Sequence, residues 1–313
     1  MKKARFIVSL DFELFWGVYD SLGIGYKDNL YGVCNSVEEI LKLFDKYNIR
    51  ATWATVGALF NESFEELNKT KPSIEPDYSD QIPNPFKHVK NVDESLLFAL
   101  KLLKLIKSAS GQEIGSHSYS HYYSLEDGNN NEQFVSDINS AINISKEKLG
   151  VDLSSYVFPK NEINEEYLEI LKDKGFESYR GTSKLKIYSK GQNLNLLQKA
   201  LRFMDSYVNV FGKSVSETEF NKGLVNIKGD RFLRPHKNKF LSYLMRRRIY
   251  KEMESACLNN KNYHLWWHPH NFGINLKENL YNLERILIKY NDFNIKYGMI
   301  SNNMLDVVNL EKR

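Results

Sequence analysis

The sequence predicts one α/β domain built on a parallel sheet, and two observations carry that prediction. Strand-like and helix-like segments alternate along most of the chain, the pattern of parallel strands joined by crossover helices. The 313 residues, 42% hydrophobic and 13% aromatic, supply core for a single large domain, since α/β barrels of roughly 250 residues are ordinary. We therefore expect one domain over residues 1–313, with insertions at 61–94 and 181–234.

Taken in order, Arg5 to Leu10 ends in Ile7-Val8-Ser9-Leu10 and reads as a buried strand. A loop rich in Gly, Tyr, Asp and Asn runs from Gly17 to Gly32. Ser36 is placed to cap a helix whose first turn holds Glu38 and Glu39, with Val37, Ile40, Leu41, Phe44 and Tyr47 near helical spacing. Ala51 to Val56 is the next strand, stopped by Gly57. Pro72, Pro76, Pro83 and Pro85 mark residues 61–94 as an excursion from the core. Asp93 can cap a leucine-rich helix leading into the strand Ile114 to His117. A helix over Phe134 to Leu149, a strand at Tyr156-Val157-Phe158, a helix over Tyr167 to Lys174 and a strand near Phe176 to Arg180 follow, with Gly175 breaking the last two apart. Regular alternation then lapses from Gly181 to Arg234, apart from a helix over Leu196 to Leu201. It resumes with a helix from about Phe240 to Cys257, a strand over Tyr263 to Trp267, and a final helix, strand and helix over roughly Leu276 to Leu310.

A net charge of +4 is mildly basic, and the cations are spread along the chain apart from Arg246-Arg247-Arg248. No nucleic-acid partner is expected. Cys34 and Cys257 are far apart and form no CxxC pattern, which points to a reducing compartment. Asp11 and Glu13 interrupt the first apolar stretch before a signal-peptide core could form, and no stretch approaches the roughly 20 apolar residues of a membrane span. A cytoplasmic location is the expectation. Oligomeric state leaves no mark in the sequence.

The chemistry concentrates in Asp11-Phe12-Glu13 and His117-Ser118-Tyr119-Ser120-His121, together with Trp266-Trp267-His268-Pro269-His270. On a strand, Asp11 and Glu13 project to one side with alpha carbons roughly 6.6 Å apart. One of them could hold a metal while the other handles a proton. An extended chain would leave the imidazoles of His117 and His121 roughly 13 Å apart, too far to share a cation. A helical turn after His117 would bring them to roughly 5 to 6 Å between beta carbons. Two imidazoles and a carboxylate make a three-ligand site with a position left for water. His236 and Arg180 could also line the cleft.

These segments resemble the motifs of the polysaccharide deacetylases, the carbohydrate esterase family 4 with its NodB-type distorted (β/α) barrel. The resemblance is carried by Ser9 to Glu13, Ala51-Thr52-Trp53-Ala54-Thr55-Val56-Gly57, Glu113 to His121, Phe158-Pro159-Lys160-Asn161 and Leu265-Trp266-Trp267-His268, in the family's order. It implies Glu13, His117 and His121 as metal ligands, Asp11 as general base and His268 as general acid, with His270 competing for that place. The implied metal is a divalent cation, Zn2+ first, with Co2+, Mn2+ and Ni2+ as alternatives. A backbone N–H near Tyr122 would help hold the oxyanion. Lys160 stands where an arginine often supports the base, and a lysine cannot reproduce the planar fork. Lys160, Trp267 and His270 are the expected substrate contacts.

The implied reaction is removal of an N-acetyl group from an amino sugar of a cell-surface polysaccharide or its precursor, releasing acetate. Two other readings stay open at this point. One keeps the site and changes the substrate to a formylated amino sugar or a ureide. The other is a non-catalytic carbohydrate-binding protein on a degenerate barrel, favoured by Lys160.

Overall fold

A computed structural model describes residues 3–78, 82–185 and 195–312. Among these residues ten strands form one sheet: β1 (Arg5–Phe12), β2 (Ala51–Thr55), β3 (Gln112–Ser116), β4 (Ser155–Tyr156), β5 (Ser178–Tyr179), β6 (Glu219–Asn221), β7 (Leu224–Asn226), β8 (Arg231–Phe232), β9 (Asn262–Trp267) and β10 (Ile300–Asn302). The order is β6-β7-β5-β4-β3-β2-β1-β9-β8, and the sheet curls strongly into a half-barrel. β1 pairs with β9 along one edge, while β10 takes the start of its other edge and β2 the end. Among the described residues every pairing between these strands is parallel except the β6–β7 hairpin, whose two loop residues Lys222 and Gly223 both have positive φ, as a tight hairpin turn requires.

Alternation along the strands divides the core. Phe6, Val8, Leu10 and Phe12 join the large cluster packed under the helices, whereas Ile7 belongs to a second cluster with Ala54, Val157, Val225 and Ile227. Met304, Val307 and Val308 of the last helix, Met304–Glu311, close that second cluster. The helix starts against the sheet: Met304 N donates to Thr52 Oγ1 and Leu305 N to the buried Glu113 carboxylate. Ile7, Ser9 and Asp11 share a strand face, so β1 leads from this apolar floor up to a carboxylate.

Three local expectations change. The helix after the first loop is Val33–Lys46, capped by Gly32; Ser36 is inside it, with its hydroxyl donating to Val33 O and Pro269 O. Asp93 caps only a short 3-10 turn, Glu94–Leu96, ahead of the helix Leu100–Ser108. Residues 181–234, expected as an insertion, contribute β6, β7 and β8 to the sheet, with β7 on β5 and β8 on β9. These strands are two or three residues long, too short to show a period in the sequence. Residues 79–81 and 186–194 of the two expected insertions lie outside the described residues. No helix among the described residues is long and apolar enough to cross a membrane.

Candidate metal centre and its cavity

The chemistry-bearing residues gather where β1, β3, β5 and β9 end, the side on which parallel α/β sheets place their sites. β1 stops at Phe12, and Leu14, with φ 46°, turns the chain into the short helical turn Leu14–Gly17. That turn folds back under Glu13. A Cβ on Gly17 would fall 2.0 Å from Glu13 Cδ, so only glycine leaves the carboxylate its place.

The histidine segment meets the demand for closeness by another route than the expected helical turn. Ser118 and His121 both adopt left-handed backbone, with φ of 62° and 59°, and the chain doubles back. Ser118 Oγ accepts Tyr122 N–H at 2.7 Å, and the two imidazole centroids end 5.0 Å apart. Left-handed non-glycine residues cost about 1–3 kcal/mol each and persist only where surroundings enforce them. Here Asp137, on the helix Asn131–Leu149, accepts the N–H groups of Tyr119 and Ser120 at 2.6 and 3.0 Å. Gly57 N and Ala58 N donate to Ser118 O and Tyr119 O. Burial pushes the Asp137 carboxyl up to about 6 against these bonds. Tyr122 N–H is committed to Ser118, and Tyr123 N–H to Tyr78 Oη, so the expected oxyanion donor near Tyr122 is occupied.

Glu13 Oε2 lies 3.2 Å from His117 Nε2 and 3.1 Å from His121 Nε2, all three side chains buried. His117 Nδ1 donates to Val157 O at 2.7 Å, which leaves a neutral ring's lone pair on Nε2 facing the carboxylate. Two lone pairs at that distance repel unless a cation or proton lies between them. The three groups therefore fit a metal ion. Burial raises the Glu13 carboxyl, but the neighbouring His268, His121 and His117 imidazoles outweigh it and hold it well below the usual carboxylate range. Burial also drives the His121 imidazole below its ordinary value, as a neutral ligand requires.

Asp11 is fixed from the opposite side. Arg180, 1% exposed, donates to Asp11 Oδ1 at 2.6 Å and Oδ2 at 2.7 Å, with further bonds to Ser9 Oγ and Asn161 Oδ1. Burial raises the Asp11 carboxyl, and the Arg180 guanidinium together with the His117 and His268 imidazoles more than cancels this, so it stays ionised. His268 Nε2 faces both acids, 3.7 Å from Asp11 Oδ2 and 3.4 Å from Glu13 Oε1. His270, on the turn Pro269–Phe272, stacks on His268 with centroids 4.9 Å apart and is buried. A cavity of about 450 Å³ opens over these groups, walled on its far side by Trp266, Phe232, Arg202 and Arg234.

The sequence model of the polysaccharide deacetylase family matches residues 28–179. A Mycobacterium smegmatis protein assigned as a polysaccharide deacetylase superposes on 99% of this chain and 90% of its own, with a TM-score of 0.60 at 13% identity. The sequence-model match places residues 28–179 in the polysaccharide deacetylase family. Among structures sharing the fold, the allantoinase PuuE gives a TM-score of 0.54 at 14% identity over 98% of this chain and 90% of its own. A 4-alpha-glucanotransferase from Thermococcus litoralis gives 0.53 at 14% over 97% of this chain and 39% of its own. No curated protein sequence matches.

Two positions differ from expectation. Lys160 does not approach Asp11: its ammonium pairs with Asp20 at 2.9 Å and lies 3.5 Å from the Tyr123 ring centroid. The arginine that grips Asp11 comes instead from the end of β5. Trp267 is fully buried against Phe44 and Phe272, and Trp266 lines the cavity. Strand alternation held the signal for the tryptophans: His264, Trp266 and, one residue past the strand, His268 fall on one side of the β9 register, which sends Trp267 to the other.

Proposed function

We propose that this protein is a metal-dependent hydrolase that removes the N-acetyl group from an amino sugar of a cell-surface polysaccharide or its precursor, releasing acetate. The observation that carries the reading is the convergence, in one cavity, of a Glu-His-His group suited to a cation, an arginine-held carboxylate and a histidine facing both acids. Glu13, His117 and His121 are the ligands; zinc is the first candidate. The bound cation would supply Lewis-acid activation of a water and of the acetamide carbonyl. Asp11, held ionised and aimed by Arg180, takes the proton of the attacking water. His268 donates from Nε2 to the departing amine, without which the amine is a poor leaving group. Trp266 and Phe232, with ring centroids 4.8 Å apart at the cavity wall, offer apolar faces to a pyranose ring. Arg180 supplies the fork that Lys160 could not, which removes the main support for a non-catalytic reading.

The test is acetate release over a panel of N-acetylated sugars, free, nucleotide-linked, lipid-linked and polymeric, with formate and ammonia assayed in parallel. Acetate release abolished by Asp11→Asn supports the reading. Formate or ammonia alone moves the substrate to a formylated sugar or a ureide, and no product from metal-loaded protein sinks the hydrolase.

A further inference from the structure

The two oxygens of Glu13 face different partners. Oε2 lies 3.2 and 3.1 Å from the Nε2 atoms of His117 and His121, while Oε1 lies 3.4 Å from His268 Nε2. A ring nitrogen of His270 completes a second group, with Glu13, His268 and His270 each offering a ligand atom within 4.8 Å of the other two. We propose that Glu13 bridges two cation sites, and that Glu13, His268 and His270 form a second, weaker site which takes a divalent transition metal and switches the enzyme off.

The second group has the donor chemistry for such an ion: two imidazoles and a carboxylate suit zinc, copper or nickel. A carboxylate can span two ions roughly 3.5–4 Å apart, the spacing of two-metal centres. His270 is buried and lies edge-on to Tyr26 at 5.5 Å between centroids, and its ring is stacked within 6° of parallel to that of His268. This site is the weaker because His268 is still 23% exposed, whereas every ligand of the first group is buried. Its occupation has a chemical consequence. The Nε2 lone pair of His268 that would carry the transferred proton would instead bind the cation. Metal in excess of one equivalent then blocks protonation of the leaving amine. The inhibitory half rests on the deacetylase reading above; the existence of the second site does not.

The experiment is a zinc titration of metal-free protein, with bound metal counted after rapid desalting and with anomalous diffraction from crystals soaked in zinc. The expected result is two equivalents on the wild type, one on His270→Phe and none on Glu13→Gln, with two anomalous peaks flanking Glu13. Circular dichroism confirms that each variant is folded, and the wild-type diffraction result stands even where a variant is not. A single equivalent and a single peak on the wild type overturn the second site and leave the deacetylase reading intact. Two equivalents that survive His270→Phe place the second ion elsewhere and overturn it as well. No bound zinc at all overturns both. With two equivalents established, acetate release that rises to one equivalent and falls toward two supports the switch; release unaffected by the second equivalent refutes it.

Discussion

Arg180 and Asp11 meet through a two-point fork of 2.6 and 2.7 Å, buried between the ends of β5 and β1. The geometry needs a planar guanidinium, since a lysine ammonium is a point charge that cannot span both oxygens. Arg180→Lys is expected to keep the fold and lower kcat by about 10- to 100-fold, the range seen when a group orienting a metal site is lost. Arg180→Met leaves Asp11 as an uncompensated buried charge and is expected to cost about 3–5 kcal/mol in urea denaturation. Full activity in Arg180→Lys would show that charge alone suffices.

Glu13 supplies the only carboxylate in either cation group found among the described residues. Glu13→Gln preserves shape and removes the anion, so retained zinc, measured by mass spectrometry after dialysis, is expected to fall at least tenfold. Zinc held at wild-type stoichiometry would exclude Glu13 as a ligand.

Gly17 offers a test that touches no ligand. A methyl group there would lie 2.0 Å from Glu13 Cδ, so Gly17→Ala has to displace the carboxylate. Expected are a native circular dichroism spectrum and zinc affinity lowered by about 10- to 100-fold, the cost of losing support around a metal ligand. Unchanged affinity would mean that the turn Leu14–Gly17 shifts freely.

His264 gives the pH dependence a specific source. It is fully buried on β9 with Nε2 2.8 Å from Ser9 Oγ, and burial, followed by the Arg180 charge, pushes its pKa down to about 3. The unfolded chain takes up this proton near pH 6.5, so the stability is present above that pH and is lost as pH falls toward about 3. His264→Gln is expected to flatten the decline of unfolding free energy by up to one proton's worth of slope between these limits. An unchanged slope would assign the acid sensitivity elsewhere, for instance to His270, which burial also lowers to about 3.

Much of this was legible in the sequence because long strands and helices repeat their period enough times to be read. Most of the eight residues of β1 and the apolar spacing of Phe134 to Leu149 announced themselves, and the motifs pointed to Glu13, His117 and His121, which the fold brings together. What escaped was short or non-periodic. β5 has two residues, so nothing marked Arg180 as the partner of Asp11 across 169 positions. The closeness of His117 and His121 was foreseen, but its cause, left-handed backbone held by Asp137, depends on contacts that local propensity does not encode. Trp266 and Trp267 were separable by alternation from His268, a rule that reaches only as far as the strand's register.

That register on β9 makes the strand behave like a reading frame. His264, Trp266 and His268 lie on one side, and Tyr263, Leu265 and Trp267 are packed into the large core on the other. Deleting one residue from β9 would exchange the two sets beyond the lesion, moving an indole into the cavity and an imidazole into hydrocarbon. Substitutions in this strand can be graded one at a time, but a change of length cannot. Variation in length among descendants of this gene should therefore gather in the loops around the cavity mouth, where substrate preference can drift while the spacing of the reactive groups is inherited whole.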